Sequence, residues 1–287
     1  MTHPFGELSA QRQHLGAALR RLRVAAGLSG EQVAERTGLS QSRVSRIELG
    51  QQSAPLTVVE HWAQATGATG PALAEVMDLA EAAATQAVSW RQAMARGLVR
   101  LQQDSRALEA GAGTILNFQS VSIPGLLQVP EYSRRVLAAG YPPPDAQEIA
   151  AAVAVRMDRQ VILYDETRSF EFILSEAALR WRLGPPTLMR AQLDRIAVVA
   201  ALDNVTVGVI PFAAEVNEWH DHGFNILEGR GGAGESVAHV ETLTSGLTIT
   251  DPADVAAYRT AFERLRAAAV FDEEAQQVIT GVAQSLI

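Results

Sequence analysis

A chain of 287 residues with 47% hydrophobic content and a net charge of −8 can bury the core of one large domain or two ordinary ones. No stretch approaches the roughly 18 uncharged apolar residues of a membrane span, and the opening MTHPFGELSAQRQHLG lacks a basic-then-apolar secretory pattern. With no cysteine, a disulfide framework, a thiolate metal site and a thiol nucleophile are excluded, which suits a cytoplasmic protein.

The charge is unevenly spread. Up to residue 70 the chain carries seven arginines (Arg12, Arg20, Arg21, Arg23, Arg36, Arg43, Arg46) against five carboxylates (Glu7, Glu31, Glu35, Glu48, Glu60), a net of +2. The remaining seventeen basic and twenty-seven acidic residues leave −10. A mildly basic head on an acidic body fits a protein of which only the head approaches nucleic acid, because phosphate attraction acts through local charge. All 24 basic residues are arginine, the better bidentate donor to phosphate and guanine.

In chain order, Leu15, Leu19 and Leu22 recur at helical spacing after Ser9, and Gly27 supplies a stop, which predicts a helix over 9–26. Ser29 with Gln32 forms a capping-box pattern for a short second helix with Val33 and Ala34 inward, ended by Gly38. Ser40 caps a third helix reaching Leu49, with Val44 and Ile47 inward and Gly50 as its stop. Two short helices joined by a tight turn form a helix-turn-helix pattern. Its second helix projects Gln41, Ser42, Arg43, Ser45 and Arg46, with Ser40 at its start. Arginine bonds guanine O6 and N7, glutamine bonds adenine N6 and N7, and serine meets a base or a phosphate. The competing reading is an amphipathic surface helix with solvated arginines.

Further helices are predicted over 55–66 and from Pro71. The alanine-rich stretch 71–112 reads as a helical connector, one helix or two joined near Gly97. From residue 113 to 287 the texture becomes α+β with a mainly antiparallel sheet. The strand-like runs are TILNFQSVSI, SFEFIL, VTVGVIPF, FNILEG and VAHVETLT. Val255, Tyr258, Phe262 and Leu265 mark a late helix, and 272–286 another. The expected organisation is an all-α domain of about five helices over 9–70, the connector, and the α+β domain.

The segment LGAALRRLRVAAGLSGEQVAERTGLSQSRVSRIELG resembles the first half of the XRE-type, or phage Cro/C1-type, helix-turn-helix domain, a similarity covering about residues 12–67. The resemblance implies a structural pair of Arg23 with Glu48. It departs at Gly30, where many relatives carry a glutamine that supports phosphate binding; the backbone amides there still favour an anion.

The second half resembles the domain attached to many actinobacterial XRE regulators of the WhiJ-like, antitoxin-like type. The similarity rests on Pro124-Gly125-Leu126-Leu127-Gln128 with Glu131-Tyr132, Arg156 with Arg159-Gln160, Ser175 to Arg180, Gln192-Leu193, Val209 to Phe212 and His239-Val240-Glu241. It implies binding of a small protein partner or a ligand rather than catalysis. Read from the residues, the IPGLLQ turn either lines a groove for a partner or packs on its own core. Arg156, Arg159 and Arg180 either meet a ligand carboxylate or phosphate, or pair internally with Glu131, Glu166 and Glu176.

No metal site and no cofactor are expected. His220-Asp221-His222 lacks further ligands at metal spacing and reads as a polar loop. GRGGAG at 229–234 has no following lysine and reads as a hairpin turn, and no nucleophile elbow is present. The sequence therefore points to a sequence-specific DNA-binding transcription regulator and not an enzyme. It is expected to be a homodimer on a pseudo-palindromic operator, controlled by a small protein partner or ligand. The alternative is an antitoxin-like module that sequesters a small partner, with autoregulatory DNA binding.

Overall fold

A computed structural model describes residues 6–140, 144–218, 221–230 and 236–286. The N-terminal part is helical: α1 Gly6–Ala25, α2 Gly30–Thr37, α3 Gln41–Glu48, α4 Leu56–Thr66 and α5 Gly70–Ala84. There follow β1 Thr85–Ser89, α6 Trp90–Ala95, α7 Leu98–Ala110, β2 Ala112–Gln119, α8 Pro130–Ala138, α9 Ala146–Arg159, β3 Ser169–Ser175, α10 Glu176–Arg180 and α11 Pro186–Val199. The chain closes with β4 Val205–Ile210, β5 Phe224–Gly229, β6 Val237–Glu241, β7 Ser245–Ile249, α12 Pro252–Ala267 and α13 Asp272–Gln284. Short 3-10 turns occupy Gly125–Leu127 and Gln160–Tyr164. The chain divides into two compact units, one running to Ala87 and taking back Thr248–Val255, the other holding Val88–Leu247 and the residues from Ala256.

The first unit buries Leu15, Leu19, Val33, Ala34, Val44, Ile47, Val59, Trp62, Val76 and Ala80 in one core. These are the inward positions that helical periodicity selects, and each large side chain removed from water contributes roughly 1.5–3 kcal/mol. Trp62 fills the centre and satisfies its indole by donating to the Leu19 carbonyl at 3.2 Å.

A seven-stranded sheet runs in the order β1-β7-β6-β5-β2-β3-β4. The pairs β2–β3 and β3–β4 are parallel, whereas β2–β5 and β5–β6 are antiparallel. One face carries Ile115, Phe170, Phe172, Leu174, Val205 and Val207, packed with Met189, Leu193 and Ile196 of α11 and Ile279 and Val282 of α13. On β2 and β5, the cross-strand partners Phe118 and Phe224 lie 5.7 Å apart, and Phe224 meets Tyr258 at 5.1 Å and Phe262 at 6.5 Å on α12. Covering both faces explains why FEFIL and VTVGVI are nearly continuous apolar runs instead of alternating ones.

The stretch 71–112 is not helical throughout, because β1 interrupts it. Trp90 N donates to Thr244 O at 2.9 Å and Thr250 N to Ala84 O at 2.8 Å. Pairing with β7 thus outweighs the helix propensity of the alanines. Gly97, with φ +91°, separates α6 from α7, as the sequence suggested. The strand expected over VTVGVIPF stops at Ile210, before Pro211, which has no N–H to give a ladder. The β7 segment SGLTI carries a weak strand pattern. A Cβ on its Gly246 would stand 2.8 Å from the Trp90 ring, so glycine there admits the indole.

Candidate nucleic-acid interface

The turn between α2 and α3 is built by local hydrogen bonds. Ser29 Oγ accepts from Gln32 N at 3.2 Å, while Gln32 Oε1 accepts from Ser29 N at 2.8 Å, completing the capping box. Gly38 ends α2 at φ +70°, and Ser40 Oγ accepts from Arg43 N at 3.3 Å to start α3. Each such cap is worth about 1 kcal/mol. Val33, Ala34, Val44 and Ile47 are buried between the helices.

Arg23 and Glu48 meet as a bidentate pair. Arg23 Nε donates to Glu48 Oε1 at 2.5 Å, its second terminal nitrogen to Oε2 at 2.9 Å, and its first to the Leu28 carbonyl at 3.0 Å. The side chains are 16% and 10% exposed, and the hydrogen bond that Arg23 donates to Glu48 raises the Arg23 pKa above its ordinary value. The pair ties the end of α1 to the end of α3, fixing the angle at which α3 leaves the core. Two glycines complete this fixing: Gly16 within α1, and Gly50, which the sequence marks as a helix stop. A Cβ at Gly16 would stand 2.4 Å from the Ile47 carbonyl oxygen, and one at Gly50, whose φ is +68°, 2.6 Å from Gln13 N. Only glycine lets the α1 backbone approach α3 so closely.

What remains outward is a polar face. Ser40, Gln41, Ser42 and Arg46 are exposed, and Arg43 and Ser45 are half-buried. Ser40 is engaged as the cap, its hydroxyl 3.1 Å from that of Ser42. Arg43 Nε is buried with no acceptor among the described residues. Swinging the guanidinium onto an external acceptor would gain the missing bond. Gly30 leaves space over the first turn of α2, where the Gln41 side-chain nitrogen lies 4.0 Å from the position a Cβ would take.

The motif residues of the second unit converge on a different arrangement. Pro124, Leu126, Leu127, Gln128, Tyr132 and Arg159 are buried, and Gly125 and Arg156 half-buried. Gln128 Nε2 donates to Ile123 O at 2.7 Å, and its Oε1 accepts from Ser133 Oγ at 2.9 Å and from Arg156 at 2.7 Å. Gln102 Oε1 accepts from Arg156 Nε at 3.0 Å and from Arg159 at 2.7 Å, and Arg159 grips Glu109 with two bonds of 3.0 and 2.5 Å. Gln160 donates to the carbonyls of Gly125 and Gln128, and Gln192 to that of Leu127. Burial and the neighbouring Arg159 push Arg156 down to about 10, so it stays protonated at neutral pH. Of the two readings left open, the geometry is that of internal packing. The IPGLLQ turn is held by glutamines, and the carboxylate on Arg159 is Glu109, which the sequence reading did not single out. Arg180 pairs with Glu176 at 2.7 Å. Glu131 pairs with Arg134 and Arg135.

His220 and residues 231–234 of GRGGAG lie outside the described residues. Asp221 and His222 contact each other at 2.6 Å, and no group of three or more potential metal ligands assembles among the described residues. No described helix is long and apolar enough to cross a membrane.

Residues 14–76 match the family described as a helix-turn-helix domain. Residues 102–281 match a family described as a domain of unknown function, DUF5753. No curated protein matches the chain. Among solved structures, the archaeal chromatin protein TrmBL2, whose published structure is described as showing a novel mode of DNA binding, is 12% identical. It covers 85% of this chain and 87% of its own length with a TM-score of 0.34, too distant to carry an argument.

Proposed function

The chain belongs to the family defined by the domain of unknown function DUF5753, and we propose that it is a sequence-specific transcription regulator of the XRE, Cro/C1-like type. On this reading α3 enters the DNA major groove. The observation that carries it is the outward face of Gln41, Ser42, Arg43, Ser45 and Arg46 on a helix locked by the Arg23–Glu48 pair and glycine contacts. An immobile helix start presenting long donors is what base-edge readout requires.

Two copies related by a two-fold axis would read half-sites about 10 bp apart. The second unit, whose motif residues serve its own packing, has a binding rather than a catalytic role and receives the controlling protein partner or ligand. The protein acts without a metal or cofactor, in the cytoplasm. Selection of bound duplexes from a randomised pool tests this: the account expects a two-fold-symmetric consensus. Salt-sensitive binding with no sequence preference would overturn it.

A further inference from the structure

The carboxyl ends of β3 and β4 carry a second outward surface. After β3 the chain forms α10 and exposes Trp181 at 62%; after β4 it exposes Phe212 at 67%. Single exposed apolar residues are ordinary, but these two follow neighbouring strand ends, where Ser175 of β3 pairs with Ile210 of β4, and Trp181 directly follows Arg180. The Arg180 guanidinium lies 5.9 Å from the Phe212 ring centroid. Glu176 holds the arrangement by accepting from Arg180 Nε at 2.7 Å and from the Phe212 backbone N–H at 2.8 Å.

The surroundings are basic. Arg182 is exposed and makes no ion pair or side-chain hydrogen bond among the described residues. Arg135 donates to the Leu183 carbonyl at 3.2 Å and shares Glu131 with Arg134. Arg190 reaches the Leu286 carbonyl at 2.8 Å, beside Ser285, to which Arg180 donates. Arg134, Arg135, Arg180, Arg182 and Arg190 thus stand with Glu131, Glu176 and, three residues after Phe212, the exposed Glu215, an excess of positive charge on a body that is otherwise acidic.

We propose that Trp181 and Phe212, rimmed by Arg135, Arg180 and Arg182, dock an acidic segment of a protein partner that lays an apolar side chain on the two rings. Exposed tryptophan and arginine at the centre of a patch are the side chains that supply most binding energy in protein interfaces, and a local positive field on a negative body selects and steers an acidic partner. A DNA duplex would need an extended basic stripe, whereas the charge here is confined to the rim of two aromatic rings. The inference rests on the reading that the second unit receives a protein partner, and it moves the docking place away from the buried IPGLLQ turn.

The test uses the full chain. A random peptide library is displayed against it, and the selected peptides are measured by fluorescence anisotropy on the wild type, Trp181→Ala and Arg182→Glu, with Phe212→Ser replacing any variant whose thermal unfolding shifts. The account expects peptides rich in Asp and Glu around an aromatic or aliphatic residue, bound roughly tenfold more weakly by each variant and weakened by salt, with duplex binding unchanged. Peptides without acidic excess, peptides that bind the variants equally, or a library that yields no binder would overturn it. So would loss of self-association in Trp181→Ala on sedimentation, which makes the occupant a second copy, or loss of duplex binding in Arg182→Glu, which makes it nucleic acid. If the wild type binds no duplex while the peptides behave as expected, the regulator reading fails and the docking surface stands.

Discussion

Two polar motifs of this chain, SQSRVSRIELG in the first unit and IPGLLQ with its arginines in the second, invite the same functional suspicion and meet opposite fates. In α3 the polar side chains project from a helix whose apolar side is locked, and Arg43 Nε has no acceptor among the described residues. In the second unit Gln128, Arg156 and Arg159 are turned inward, and Gln102, Glu109 and backbone carbonyls meet them. A polar residue left outward on a rigid support is available for recognition. One whose hydrogen bonds are made inside is a structural part whose loss is felt as instability.

The strongest way to break this contrast is at Arg159. Arg159→Ala strands Glu109 in a largely dry site and is expected to cost about 3–5 kcal/mol, read as a lowered urea midpoint. A variant as stable as the wild type would show that the network is not structural. Arg23→Ala leaves Glu48 without its partner and is expected to cost roughly 1–3 kcal/mol in the first unit, with DNA affinity falling in parallel. Arg43→Ala sharpens the other side: it is expected to lose ~1–3 kcal/mol of affinity and relax one base position while the melting temperature holds. In Arg46→Ala, if the contact is to phosphate, the slope of log K against log salt is expected to fall by about 1.

The smallest effect concerns pH. Burial holds the His239 imidazole below its ordinary value, with Glu241, Glu109 and Arg159 nearby. The unfolded chain therefore binds this proton more readily than the native state. The stability that the neutral ring contributes is present in full above the unfolded value of ~6.5, and it is lost as the pH falls from there to the folded value. Urea midpoints measured between pH 7.5 and 5.5 are expected to fall less in His239→Gln than in the wild type.

The first unit was legible in the sequence because its determinants are local. Ser29 with Gln32, Gly38, Ser40 and the apolar spacing lie within a few residues of what they organise, and the pairing of Arg23 with Glu48 follows from a resemblance across a 25-residue separation. The second unit was legible only as α+β texture. Glu109 and Gln102 sit on a helix read as a connector, some 50 to 57 residues before Arg159, and no spacing rule links them. β1 escaped notice because its partner β7 lies far along the chain and its own residues are poor strand markers. The approach of Gly16 to the Ile47 carbonyl is invisible for the same reason, since a glycine inside a helix shows its purpose only when the facing backbone is known.

Hydrogen–deuterium exchange of the full chain, with and without a selected operator duplex, tests the contrast most directly. The account predicts slowed exchange over residues 40–50 and unchanged exchange over 123–133. Protection of 123–133 with 40–50 left as in the free protein would contradict it.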